Sequence, residues 1–237
     1  MGVELLPDIG YADARTLKER RQKMITVEWL PGFKIHELSH EDDFPYFAHP
    51  KECRHIEAAG NKLFNLGVMH PIKKQYGSSA THGNLALRIR SAPSRLIVTA
   101  TDSNKGMLTP RDFVEVCLER QIVYTPEGRL PSTDAGLMIN IFLSFRTVFS
   151  YAHFHEPVVM GHPIRLTYKN LRGEEWLELY NMLHQGIRAF NLQNHVSEHP
   201  PGVLDASIVL GEERKRPFYP ALATLKDTWA GKDASII

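Results

Sequence analysis

Two histidines separated by one residue, His153 and His155, stand where an apolar run from Phe149 to Phe154 meets Glu156-Pro157. In an extended strand, residues i and i+2 share a face. The spacing therefore predicts two imidazoles side by side, with Phe154 turned into the opposite layer. Such a pair can share one metal ion, and imidazole suits zinc, iron, nickel or copper. Pro157 lacks a backbone donor, so the pair is expected at a strand end, where sites gather. The same spacing also fits two hydrogen-bonded histidines beside a core strand. With 12 His in the chain, the pair alone decides nothing.

Other groups able to do chemistry lie upstream. Pro131-Ser132-Thr133-Asp134 offers a carboxylate that a bridging helix could bring to the edge carrying the histidines. Ser79 to Arg88 contains Gly83-Asn84, and Val98 to Asp112 contains Thr99-Ala100-Thr101-Asp102 and Lys105-Gly106. Each is a hydroxyl- and amide-rich loop next to a strand, a natural cradle for an oxygen-rich substrate. Each alone is equally well explained as turn chemistry. His82 fits a pocket wall or the surface.

The elements that must position these groups follow from periodicity. Residues 12–25 carry a charged helix with one thin apolar stripe (Leu17, Met24, Ile25), and 36–50 read as a loop. Arg54 to Leu66 fits an amphipathic helix ending near Gly67. Leu85 to Arg90 alternates as a strand with one buried face. Ser91 to Ser94 turns, and Arg95 to Thr99 completes an antiparallel hairpin. Thr109-Pro110-Arg111-Asp112 starts a helix or forms a single turn before the apolar 113–116. Residues 135–146 read as a buried helix, 174–190 as an amphipathic one, and 205–210 as a late strand. The pattern is α/β with antiparallel pairing.

Bulk properties exclude several classes. The chain of 237 residues, 43% hydrophobic and 23% charged, suits one ordinary domain, with a second small unit not required. A net charge of +1 argues against nucleic acid or a membrane surface as partner. Two cysteines make no disulfide framework and suit a reducing compartment. No apolar run reaches membrane-span length and no signal peptide stands at the start, so a cytoplasmic address is expected.

Taken in order, the loops resemble the class II aldolase/adducin family, of the fuculose-phosphate aldolase and ribulose-phosphate 4-epimerase type. Its Gly-Asn-Ile-Ser loop is matched by Gly83-Asn84-Leu85-Ala86. Its Thr-Pro-Ser-Gly loop is matched by Thr99-Ala100-Thr101-Asp102, followed by Lys105-Gly106-Met107-Leu108-Thr109-Pro110-Arg111-Asp112. Its Pro-Ser-Ser-Glu/Asp and His-x-His are matched by Pro131-Ser132-Thr133-Asp134 and His153-Phe154-His155. The resemblance covers about residues 55–160. It implies a three-layer α/β fold with a central, mainly antiparallel sheet flanked by helices, formed by residues 51–237 behind an N-terminal extension, 1–50.

It further implies a divalent metal, most often zinc, held by His153, His155 and a later histidine. Asn194-His195-Val196 best matches the family's Asn-His-Gly, with His199 as the alternate. Asp134 is then acid/base or a fourth ligand, and Asn84, Thr99, Thr101, Asp102, Ser132 and Thr133 face the substrate. The implied activity is that of a carbon–carbon lyase, aldolase or decarboxylase, acting on a small hydroxy-carbonyl, sugar-like substrate through a metal-stabilised enediolate. An epimerase or dehydratase, or a non-catalytic adducin-like assembly module, are the alternatives. A homo-oligomer, a tetramer, is implied as well. Two departures stand out: Asp102 replaces the phosphate-loop glycine and Ala86 replaces the serine. A poorly solvated carboxylate at that corner would repel a phosphate, so an unphosphorylated substrate is expected.

Overall fold

The computed structural model describes residues 24–25, 30–69, 71, 80–132, 134–155, 162–165, 173–193 and 206–223. Its backbone is one ten-stranded sheet in the order β1-β2-β6-β5-β4-β3-β7-β10-β9-β8. The strands are β1 Met24–Ile25, β2 Lys34–Leu38, β3 Asn84–Arg88, β4 Arg95–Thr99, β5 Phe113–Cys117, β6 Ile122–Pro126, β7 Ser150–Phe154, β8 His162–Arg165, β9 Ala189–Gln193 and β10 Ala206–Gly211. All pairings are antiparallel except β2 with β6 and β8 with β9. The sheet is therefore mixed and mainly antiparallel, with helices on both sides.

Helix α1 is Pro45–Ala48, α2 is Pro50–Asn65, α3 is Ala135–Ser144 and α4 is Gly173–His184. Cys53, Ile56, Ala59 and Leu63 recur at helical spacing and bury the inner face of α2. That face meets Leu85, Leu87, Ile97, Ala152, Phe154 and Val209. The opposite sheet face carries Ala86, Val98, Val114, Tyr151, Leu192 and Ile208 and is covered by α3 and α4. Phe154 thus enters the α2 layer, as the strand alternation requires.

Several sequence expectations change here. The strand at 84–88 is buried throughout rather than on one face. Arg88 is enclosed because its Nη2 donates to Phe142 O in the last turn of α3 at 2.8 Å, and its Nε donates to Val148 O in the following loop at 3.1 Å. The helix expected over 174–190 stops at His184. Gly186 adopts φ +86, its N–H reaches Leu183 O, Ile187 N–H reaches Met182 O, and the chain leaves as β9. The stretch 36–50, expected as a loop, holds the end of β2, a 3₁₀ turn (Glu41–Asp43) and α1. Met24 and Ile25, expected to end a helix, pair with Ile35 and His36 as strand, and residues 12–23 of that helix lie outside the described residues. Part of the stretch expected as an N-terminal extension therefore contributes strands to the common sheet. The helix expected over 54–66 begins four residues earlier, with Pro50 at its first position, and the one expected over 135–146 ends at Ser144, while the 84–99 hairpin, one turn at Pro110–Asp112 and the late strand are found as expected.

Candidate metal centre

His153 lies inside β7, between Asn84 on β3 and Ile208 on β10, and is fully buried. His155 follows the strand by one residue and is 7% exposed. Their Nε2 atoms approach to 2.9 Å with perpendicular rings. Two nitrogens each about 2.0–2.1 Å from a common ion lie roughly 2.9–3.4 Å apart for angles between square and tetrahedral. The pair fits a metal. It also fits one imidazole donating to the other, so the surroundings decide.

The carboxylate arrives as the sequence suggested. Asp134 is the N-cap of α3, its side chain does not cap the helix, and Oδ2 stands 3.7 Å from His153 Nε2. Beside it, Asn84 Nδ2 donates to Ser132 Oγ at 3.1 Å, and Asp134 N–H leans on the same oxygen at 3.4 Å. Asn84 Oδ1 is buried without a hydrogen-bond partner among the described residues, an acceptor that a donor from a ligand or water would satisfy. Among the described residues no third His, Cys, Asp or Glu completes a metal shell. His195, His199 and Thr133 lie outside the described residues.

The loops close this corner by backbone contact. Gly83 takes φ +80, and a Cβ there would lie 2.3 Å from His153 O, so only glycine lets β3 enter this close to β7. Ala100 bridges Pro131, and Thr101 N–H reaches Leu130 O, which sets the 99–102 loop beside Asp134. Thr99 Oγ1 accepts the Leu85 N–H at 3.1 Å and is buried, which gives it a structural tie. Thr101 is half-buried. Asp102 is exposed with φ +55, a conformation that Asp tolerates better than most residues and that explains its place at a glycine position. A carboxylate facing water repels a phosphate by only about 1 kcal/mol at 4 Å, so the expectation of an unphosphorylated substrate loses most of its electrostatic ground.

Two groups at this corner carry no role from their sequence pattern, although Lys105 belongs to the 98–112 loop. Lys105 is buried, donating from Nζ to Thr81 O at 3.0 Å and Ser103 O at 3.1 Å. Burial pulls its ammonium down to about 8, opposed by Asp112 and Asp102. A lysine in a loop of small polar residues was the available signal. Tyr151, on the His153 face of β7, is fully buried, and burial followed by the Asp134 carboxylate pushes its phenol well up. An open groove along α4 (Glu174, Leu177, Glu178, Ile187) contains none of these residues.

A mixed sheet between helix layers is a fold shared with solved class II aldolase structures. The sequence profile described as Class II Aldolase and Adducin N-terminal domain matches residues 69–195, more than half of the chain, and the chain belongs to that family. Methylthioribulose-1-phosphate dehydratase of Exiguobacterium sibiricum is 35% identical over 78 residues, 31% of this chain and 37% of the relative. The protein of the same name from Yersinia enterocolitica is 33% identical over 90 residues, 38% of this chain and 41% of the relative. The match thus spans about two fifths of those relatives' length. Among solved structures, YgbL of Klebsiella pneumoniae, a putative aldolase/epimerase/decarboxylase, superposes with TM-score 0.52 at 16% identity over 79% of this chain and 92% of its own. L-fuculose 1-phosphate aldolase of Glaciozyma antarctica gives 0.51 at 15% identity over 79% and 75%. These likenesses carry the fold.

Proposed function

We propose that the protein is a metal-dependent lyase of small hydroxy-carbonyl, sugar-like compounds, with loss of water favoured over carbon–carbon cleavage. The observation that carries the reading is the convergence of His153 Nε2 and His155 Nε2 at 2.9 Å, with the Asp134 carboxylate 3.7 Å from the first. The divalent ion, zinc as the family resemblance implies, would be held by His153 and His155, with His195 or His199 as third ligand. When bound, such an ion supplies a positive charge that polarises a substrate carbonyl.

The protein's own groups do the rest. Asp134 moves the proton on the carbon beside the carbonyl, from a helix N-terminus whose dipole favours its carboxylate. Asn84 and Ser132 fix substrate hydroxyls, Thr101 and Asp102 line the approach, and Thr133 is a further substrate contact by family resemblance. Water loss is favoured because the curated relatives at 35% and 33% identity are named dehydratases. Retention of both histidines argues against an adducin-like assembly module. A cytoplasmic homo-oligomer, a tetramer, is part of the same reading; no described helix is long and apolar enough to cross a membrane.

The test is incubation of the metal-loaded protein with ketoses and ketose 1-phosphates, products being read by NMR. A dicarbonyl product that keeps every carbon supports dehydration. Two smaller carbonyl fragments would shift the reading to aldol cleavage, and an unchanged panel would remove the lyase reading.

A further inference from the structure

His82 is absorbed by none of the roles above, yet it sits against the metal pair. Its ring stacks on that of His155, centroids 5.0 Å apart and planes 24° from parallel. The placement follows from the sheet. Asn84 pairs with His153 across β3 and β7, and continuing this antiparallel register by two residues sets His82 opposite His155. Gly83 makes that continuation possible, since its missing side chain lets the two backbones close up beyond the last regular pair. On its other side Thr81 is anchored by an N–H bond to Ser103 O and by a bridge to Pro71. The backbone of residue 82 is therefore fixed from both directions while its ring remains half-buried.

The two ligand histidines differ in what holds them. His153 is fixed inside a strand with neighbours on both sides. His155 lies one residue past the end of β7, beyond the last pairs of β7 with β3 and β10. A terminal side chain keeps one rotamer only if something packs against it. We propose that His82 is a positioning residue: its ring, stacked on His155, holds the outer imidazole with Nε2 aimed at His153 Nε2 and so raises affinity for a divalent cation. This rests on the metal reading of the pair. The role belongs to the flat ring, not to its nitrogens. Groups that orient a ligand imidazole typically change metal affinity 10–100-fold when removed.

The test is cobalt(II) titration followed by visible absorption, with zinc competition for the affinity, on wild type, His82→Ala, His82→Phe and His82→Gln. Thermal unfolding of the metal-free proteins runs beside it. Expected are at least a tenfold weaker affinity and an altered cobalt spectrum in His82→Ala and His82→Gln, and recovery to within about threefold in His82→Phe. Metal-free melting should be nearly equal in all four. Should His82→Ala fail to fold, the contrast of Phe against Gln carries the same information. Wild-type affinity in Ala and Gln overturns the proposal. A Phe variant as weak as Ala also overturns it, since a nitrogen would then be what matters. Wild type that binds no cobalt removes the metal reading itself, and this inference with it.

Discussion

The two walls of the site are built in opposite ways. One wall is the 80–84 and 100–106 loop pair. Thr81 N–H bonds Ser103 O, Lys105 N–H bonds Thr81 Oγ1, Lys105 Nζ reaches two carbonyls, and Ser103 Oγ closes on Ala100 O. The other wall is Pro131 to Asp134 at the head of α3, where Ser132 Oγ serves both the Asn84 amide and the Asp134 N–H and the aspartate side chain makes no helix cap. In the first wall Thr81, Ser103 and Lys105 bond to one another and to Ala100, and this part of it is a frame. The second directs its carboxylate to the histidines. A site needs both: a frame that fixes distances, and a charged group kept out of secondary-structure duty.

Breaking the frame should cost the most stability. Gly83→Ala forces a methyl onto the His153 carbonyl and is expected to destabilise the protein by roughly 2–4 kcal/mol in denaturant unfolding, with loss of metal uptake. Gly128→Ala is the control. Gly128 has φ +73 but nothing within 4 Å of a new Cβ, so it should lose only about 1–2 kcal/mol. Equal losses would mean that the close approach of β3 to β7 is unimportant.

Breaking the second wall should leave the fold intact. Asp134→Asn is expected to lower kcat by ~10²–10⁴-fold with melting temperature and metal affinity almost unchanged. A fall in metal affinity as large as the fall in rate would make Asp134 a ligand rather than an acid/base group.

A subtler difference lies in pH. Lys105 ionises near 8 when folded and near its ordinary 10.5 when unfolded. The unfolded chain therefore holds more protons between these values, and stability should rise as pH increases through that window. The charged lysine's burial penalty, on the order of 3 kcal/mol at most, is fully present below pH 8 and relieved toward 10.5. Lys105→Met should flatten this part of the profile. A parallel profile in the variant would place the ammonium in water.

The sequence exposed those parts whose signal is local. The α2 stripe, the 84–99 hairpin and the Thr109–Asp112 turn each carry their own periodicity or capping pattern, and the histidine spacing alone sends Phe154 to the other layer. What stayed hidden depends on distant partners. β2 and β6 are short, and their parallel pairing joins segments almost ninety residues apart. The burial of Arg88 follows from the end of α3, and the glycine requirement at Gly83 from a carbonyl on β7. Asp102 looked like an obstacle to phosphate until its exposure and left-handed backbone were visible.

Zinc stoichiometry measured by titration on wild type and on the His153→Ala/His155→Ala double variant tests the centre of this account most directly. One ion per chain is expected in the wild type, bound at micromolar concentration or tighter, and none in the folded double variant. A wild type that takes up no zinc, or a double variant that takes up as much, would contradict it.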